Sequence, residues 1–311
     1  MSRLLLLVVV STGCASATPS PSLTPTAEPT ATASPTPSPS PTPEPSPTPI
    51  PLDEAMLARR FTVLLAGVDT SASRRAGGVE DENTDALMVV SVSADRSRID
   101  LISLPRDTVD VPMSDGTTYR GKINGIAQKR GNEALRGALS TLLGVPIDRY
   151  LRVDMDDFVW LVDAVGGIHV DVKTRISDPK VHLQLDPGPV ELDGATALAF
   201  TRTRADNDYA RAARQQQAIV ALVQRWLDPG VGRLLAAAVQ LKSLQTDIPL
   251  GELPTLLEIG RRSSAAEVTA IVLQPPRYAL FVGIEPNSNR GWVMIPNVAA
   301  MRRYVASALA D

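Results

Sequence analysis

The apolar positions after Leu52 fall into two patterns. FTVLLAG (61–67) is an unbroken apolar run of strand length, as expected for a strand buried on both faces. ALMVVSVSA (86–94) is a second such run, and IDLISLP (99–105) alternates well enough for a third strand. Only the polar turn Asp95-Arg96-Ser97-Arg98 separates these two, which predicts an antiparallel hairpin. INGIAQKRGNEALRGALSTLLG (123–144) has helical periodicity and stops at Gly144, just before Pro146. YLRVDM (150–155) reads as a strand, DDFVWLVDAVGG (156–167) as a helix closed by two glycines, and IHVDV (168–172) as a strand. ALAFTRTR (197–204) reads as a short strand, followed by a long amphipathic helix over about 207–226. VTAIVLQ (268–274) is a late strand. Strands alternating with helices predict an α/β fold, a three-layer α-β-α sandwich with a central mixed sheet.

The first 51 residues follow neither pattern. Arg3 precedes a short apolar stretch, Leu4 to Val10, well below the ~20 residues that cross a bilayer. Ser11-Thr12-Gly13-Cys14 resembles a bacterial lipobox, although Ser11 stands where a Leu-like residue is usual. The alternative is a signal cut nearby without lipidation. Acylation at Cys14 would add several chains, enough for stable anchoring. From Ala15 to Pro51 the chain is almost wholly Pro, Ser, Thr and Ala, which cannot bury a core and stays extended. At ~3.1 Å per residue it would reach on the order of 100 Å. The expected organisation is a lipobox-like signal segment (1–14), a disordered Pro-rich stalk (15–51) and a folded domain (52–311), anchored to the membrane and extracytoplasmic.

Composition narrows the chemistry. With 31 basic and 34 acidic residues the net charge is −3, so a general nucleic-acid binder is not expected. One Cys and two His exclude Cys/His zinc clusters and Cys–His nucleophile pairs. Acid–base or metal chemistry must therefore rest on carboxylates.

Two groups of charged residues stand out. Asp69 ends the first strand, Asp85 opens the second, and the third delivers Arg106 and Asp107 to the same edge. A simple meander brings all four together. Carboxylates at one strand edge suit Mg²⁺, which prefers oxygen ligands and keeps waters for substrate phosphates. Each Asp alone reads equally as a turn residue or cap. The second group lies in TRTRADNDYARAARQQQ (201–217). Arg202 and Arg204, two apart on a strand, share a face, as do Arg211 and Arg214, three apart on a helix. Asp206, Asn207 and Asp208 are placed to cap that helix. Four guanidinium groups near a helix N-terminus fit a diphosphate. The competing reading is a solvated arginine face paired with Asp206 and Asp208.

In LLAGVDT (64–70), TDALMVVSV (84–92), LISLPRDT (101–108), KING (122–125), the 142–172 stretch, ELDGATALAFTRTR (191–204) and DYARAARQQQ (208–217), the chain resembles the LytR–CpsA–Psr family of the bacterial envelope. The resemblance covers nearly the whole folded region. It implies a Mg²⁺-dependent phosphotransferase that moves a glycopolymer from a polyprenyl-diphosphate carrier to a peptidoglycan hydroxyl, forming a phosphodiester. It implies metal ligation by Asp69 and Asp85. It implies diphosphate binding by Arg106, Arg202, Arg204, Arg211 and Arg214, and an apolar tunnel for the polyprenyl chain. Asp107 or Asp85 would take the proton of the attacking hydroxyl. Lys122 and Asn124 read either as assisting groups or as a surface lysine and a helix cap. The chain departs from the family at Asn83, where Arg is frequent, and in its lipoprotein-like N-terminus in place of a transmembrane helix. A pyrophosphatase, a non-catalytic wall-binding lipoprotein and a nucleic-acid regulator are the rival readings. The secretion signal and net charge speak against the last.

Overall fold

The computed structural model describes residues 51–78, 82–226 and 244–310. Cys14, the 1–14 segment and nearly all of the 15–51 stretch lie outside the described residues. A six-stranded mixed sheet forms the centre. Its strands are β1 (Phe61–Val68), β2 (Thr84–Val92), β3 (Arg98–Ser103), β4 (Arg149–Val153), β5 (Gln245–Thr246) and β6 (Glu267–Val272), in the order β5-β4-β1-β2-β3-β6. β1, β2 and β3 form the expected antiparallel meander. β4 lies parallel to β1, and β6 parallel to β3.

Helices cover both faces. α1 (Asn132–Leu143) and the C-terminal helix (Val298–Ala308) pack on one face against Leu64, Leu87, Val89 and Ile102. The other face carries α2 (Met155–Ala164), α3 (Gly194–Arg202) and α4 (Asp208–Trp226), with Ile219 and Val220 of α4 beside Met88, Val90 and Leu101. Alternation along β1 and β2 thus feeds two separate layers, which explains their unbroken apolar runs. A second core sits beneath α2–α4, where Phe200, Val162 and Leu222 pack on the paired strands Ile168–Val172 and Gly188–Leu192.

The structure corrects two expectations. The 123–144 stretch is a 3₁₀ turn and two helices, broken at Gly131, whose φ of 89° a helix cannot contain. It ends at Gly144 in the left-handed conformation, as expected. The larger correction is at 197–204, which forms no strand. Asp193 accepts a hydrogen bond from the Thr196 amide at 2.8 Å and starts α3, which runs through Arg202. Thr203 then turns extended (φ −58°, ψ 140°) and closes it. A short apolar run with alternating polar residues fits a buried helix as well as a strand. The Asp-Gly-Ala-Thr cap decides for the helix.

Candidate functional site

Asp69 and Asp85 reach one place through a defect in the sheet. Gly67 pairs with Ala86, but Val68 pairs with Thr84, so Asp85 is an extra, bulged residue. A bulge re-aims a side chain that strict alternation would turn away. Asp85 and its neighbour Ala86 consequently line the same cavity. The Asp69 amide donates to the Asn83 carbonyl at 3.2 Å and closes this end of the β1–β2 pair. The following residues dock on the start of α2. The Met155 amide donates to the Thr70 carbonyl (3.0 Å), the Ala72 amide to Asp156 (2.6 Å), and Arg75 pairs with Asp154 (2.6 Å). Asp154 also caps α2 by accepting from the Asp157 amide.

The cavity has a volume of about 400 Å³ and lies between the sheet and α2–α4. Its walls are apolar and include Leu65, Met88, Leu151, Phe158, Leu198 and Leu222. Its polar lining residues are Asp69, Asp85, Asp154, Thr201, Arg202, Arg204, Arg211 and Gln215. The floor beside the carboxylates is made of small residues. A Cβ added to Gly67 would come within 3.0 Å of the Ala86 Cβ.

The charges at the mouth are interlocked. Arg202 donates to Asp69 Oδ1 at 3.1 Å, and Arg74 lies 4.0 Å from Asp69 Oδ2. Asp85 Oδ2 accepts from Arg106 at 2.5 Å and faces Arg204 at 3.9 Å. Asp208 lies 3.4 Å from both Arg204 and Arg211, without hydrogen-bond geometry. Burial lowers the pKa of Arg211, and Arg106 and Arg204 lower it further, against the opposing pull of Asp208 and Asp85. An arginine stays charged even so. Among the described residues, the buried Nε atoms of Arg106 and Arg211, Asp208 Oδ1 and the Tyr209 hydroxyl have no hydrogen-bond partner. Buried polar atoms are rarely left so. Of these four residues Arg211 lines the cavity, and such atoms also occur elsewhere, at Arg96, Arg152 and Tyr278. Burial, then Asp208 and Asp107, raise the pKa of Tyr209, so its hydroxyl stays protonated at neutral pH.

Asp69, Asp85, Arg202, Arg204 and Arg211 therefore converge. Arg202 and Arg204 do so because α3 ends between them, not through the pleat of a strand. Arg106 stands behind Asp85. Asp107 turns to Lys122, which donates to it at 2.6 Å, and it is 8% exposed. Arg214 does not join the cavity lining. It is buried and grips both oxygens of Asp206 (2.7 and 2.9 Å) and the Thr203 carbonyl (2.7 Å). The reading of these arginines as a solvated face thus has the Asp206 and Asp208 pairings right, but Arg211 and Arg214 are buried. Asn207, whose side chain accepts from the Tyr209 and Ala210 amides, caps α4. The Asn124 amide reaches the Arg106 carbonyl at 3.4 Å. Gln215 was not foreseen, though it lies four residues after Arg211 and so on the same helical face.

A model of the LytR_cpsA_psr family matches residues 38–281. Biofilm regulatory protein A of Streptococcus mutans is 32% identical over 216 residues, which cover 63% of this chain and 52% of that protein. The polyisoprenyl-teichoic acid–peptidoglycan teichoic acid transferase TagV of Bacillus subtilis is 31% identical over 179 residues, covering 55% of this chain and 44% of the relative. The matches thus span about half the length of these relatives. The crystal structure of B. subtilis TagV superposes with a TM-score of 0.64 at 24% identity, covering 81% of this chain and 98% of the other. A structure of TagT bound to LIIa-WTA superposes with a TM-score of 0.61 at 21% identity, covering 81% and 92%. At these identities the two structures establish the fold. With its matched region reaching across the sheet, both charged groups and the cavity, the chain belongs to the LytR_cpsA_psr family.

Proposed function

We propose that this chain is an extracytoplasmic, membrane-anchored phosphotransferase that moves a glycopolymer from a polyprenyl-diphosphate carrier to a peptidoglycan hydroxyl, forming a phosphodiester. The observation that carries the reading is the cavity, with its apolar body and a mouth ringed by Arg202, Arg204 and Arg211. An amphiphile with an anionic head matches it in shape and charge. The teichoic acid transferase named among the relatives supports the substrate class. The lipobox-like Cys14 and the Pro-rich stalk support the location.

The donor set fits Mg²⁺. Two carboxylates, Asp69 and Asp85, share the mouth, and the arginines that contact Asp85 both use its Oδ2. Two protein oxygens are a usual complement for this ion, with water and phosphate oxygens completing it. When bound, Mg²⁺ would neutralise charge on the diphosphate. Arg202, Arg204 and Arg211 hold the same group by charge-assisted hydrogen bonds and stabilise the polyprenyl phosphate as it leaves. The apolar walls seat the polyprenyl chain and exclude water from the neighbourhood of the reacting phosphorus. Arg106 orients Asp85, and Lys122 holds Asp107. Asp85 and Asp107 stay the two alternatives for accepting the proton. Asp85 borders the cavity but is engaged by the arginines and, when bound, by the metal, and Asp107 is paired with Lys122.

The test uses the full chain in membranes with a polyprenyl-diphosphate-linked donor and peptidoglycan. Mg²⁺-dependent transfer is expected in the wild type and a loss of about 10²–10³-fold in Asp85→Ala. Cys14→Ala is expected to release the activity from the membrane fraction. Wild-type transfer by Asp85→Ala, or transfer undiminished in excess EDTA, overturns the mechanism. Hydrolysis of the donor to polyprenyl phosphate and a glycopolymer phosphate, without transfer to any acceptor, would make the chain a pyrophosphatase instead.

A further inference from the structure

Residues 203–207 alone join α3 to α4; they carry the backbone of Arg204 and follow directly on Arg202, the last residue of α3. A connection of this length on a protein surface is mobile unless it is tied down. Here it is tied from behind by two charged residues that do not line the cavity. Asp178 comes from the short strand Ile176–Asp178 and is 8% exposed. Its Oδ2 accepts from the Thr203 hydroxyl at 2.7 Å and from the Arg204 amide at 3.3 Å. Arg214, on α4, donates to the Thr203 carbonyl and clamps both Asp206 oxygens. Thr203, fully buried, is thus held by its hydroxyl from one side and its carbonyl from the other.

The charges make sense only as a scaffold. Asp178 and Asp206 are anions beside a site for an anion, and on electrostatic grounds alone they oppose binding. Arg214 is already paired with Asp206, so it adds little attraction for a ligand. The Thr203 hydrogen bond holds the Asp178 carboxyl below the usual range, and the Arg214 bonds do the same for Asp206. Both therefore remain charged at neutral pH.

We propose that Asp178 and Arg214 are positioning residues that lock the 203–206 turn, so that the Arg202 and Arg204 guanidinium groups are preorganised at the cavity mouth. Arg214 acts here through Thr203 and Asp206 and not as a diphosphate ligand. The proposal rests on the diphosphate reading of the site.

The test measures binding of farnesyl diphosphate with Mg²⁺ to the full chain by calorimetry, with thermal unfolding recorded for each variant. Arg204→Ala is expected to weaken binding about tenfold to a hundredfold, as the loss of a charge-assisted bond would. Asp178→Ala is expected to weaken it to a similar degree. Asp178→Asn, which still offers an oxygen to Thr203 and Arg204, is expected to restore most of the affinity. Asp206→Ala gives opposite signs for the two roles of Arg214. A positioning Arg214 predicts weaker binding, whereas a ligand Arg214, freed from its partner, predicts tighter binding. Tighter binding in Asp206→Ala, or wild-type affinity in Asp178→Ala and Asp206→Ala beside a weakened Arg204→Ala, overturns the proposal and leaves the diphosphate reading intact. Wild-type affinity in Arg204→Ala overturns the reading itself. Asp206 is exposed, so its variant decides the matter even if Asp178→Ala does not fold.

Discussion

The two faces of the central sheet are built from the same strands and finished differently. Toward α1 and the C-terminal helix, β1, β2 and β3 present Leu64, Leu87, Val89 and Ile102, and the helices answer with Leu135, Leu139, Leu142 and Met301. All of these are almost completely buried, as in a close-packed interior. Toward α2–α4 the same strands present Leu65, Gly67 and Met88, and the helices leave a cavity of about 400 Å³ in front of them. At its mouth stand carboxylates and guanidinium groups that a packed core would not admit. Alternation along a strand lets one sheet carry a close-packed face and a face that borders a cavity, with little interference between them.

That division can be broken from either side. The largest effect on stability is expected from Leu139→Ala in the packed layer. It should cost about 2–5 kcal/mol, because a buried leucine leaves a cavity that its neighbours only partly fill. Chemical denaturation measures the loss, and farnesyl diphosphate affinity should stay at the wild-type level in the fraction that remains folded. A drop in affinity matching the loss of stability would mean that the two faces are coupled. A smaller and opposite effect is expected from Leu198→Trp, which fills part of the cavity. Thermal stability should hold or rise while affinity falls roughly tenfold, or about 1.4 kcal/mol. Unchanged affinity for a long polyprenyl diphosphate would remove the cavity as the seat of the chain.

The smallest effect concerns pH. Hydrogen bonds from Arg214 depress the Asp206 pKa, so the folded state binds its proton less readily than the unfolded state. The stability due to this pair is therefore complete above the ordinary aspartate pKa, about 3.9, and is lost as the pH falls through the depressed value. The stability difference between wild type and Asp206→Asn should be flat from neutral pH to about 5 and shrink below about 4. For Leu139→Ala the corresponding difference should not depend on pH. Stability curves collected across this range check both.

The packed face was the more legible in the sequence. β1, β2 and β3 announce themselves as apolar runs, and their meander brings Asp69, Asp85 and Arg106 to one edge of the sheet, but the bulge that turns Asp85 toward the cavity left no mark in the sequence. The arginine segment was legible as a charged cluster but not as a shape. ALAFTRTR satisfies strand alternation and helical burial alike, and only the Asp193 cap separates them. Arg211 and Arg214 share a helix face by spacing, yet one borders the cavity and the other closes on Asp206, because Thr203 and Asp206 fold back over α4. Nothing near Asp178 marks it as part of the site. Its partner Thr203 is 25 positions away and belongs to a different element. Contacts of that kind depend on tertiary packing and leave no local pattern.

The bulge at Asp85 has a bearing on how such a protein can change over evolutionary time. In a regular strand, a one-residue slip that turns a functional group to the other side also exchanges the two faces along its whole length. The extra residue confines that exchange to one position. The packed core on one side of β2 and the charged mouth on the other can then change independently, without a compensating set of core substitutions.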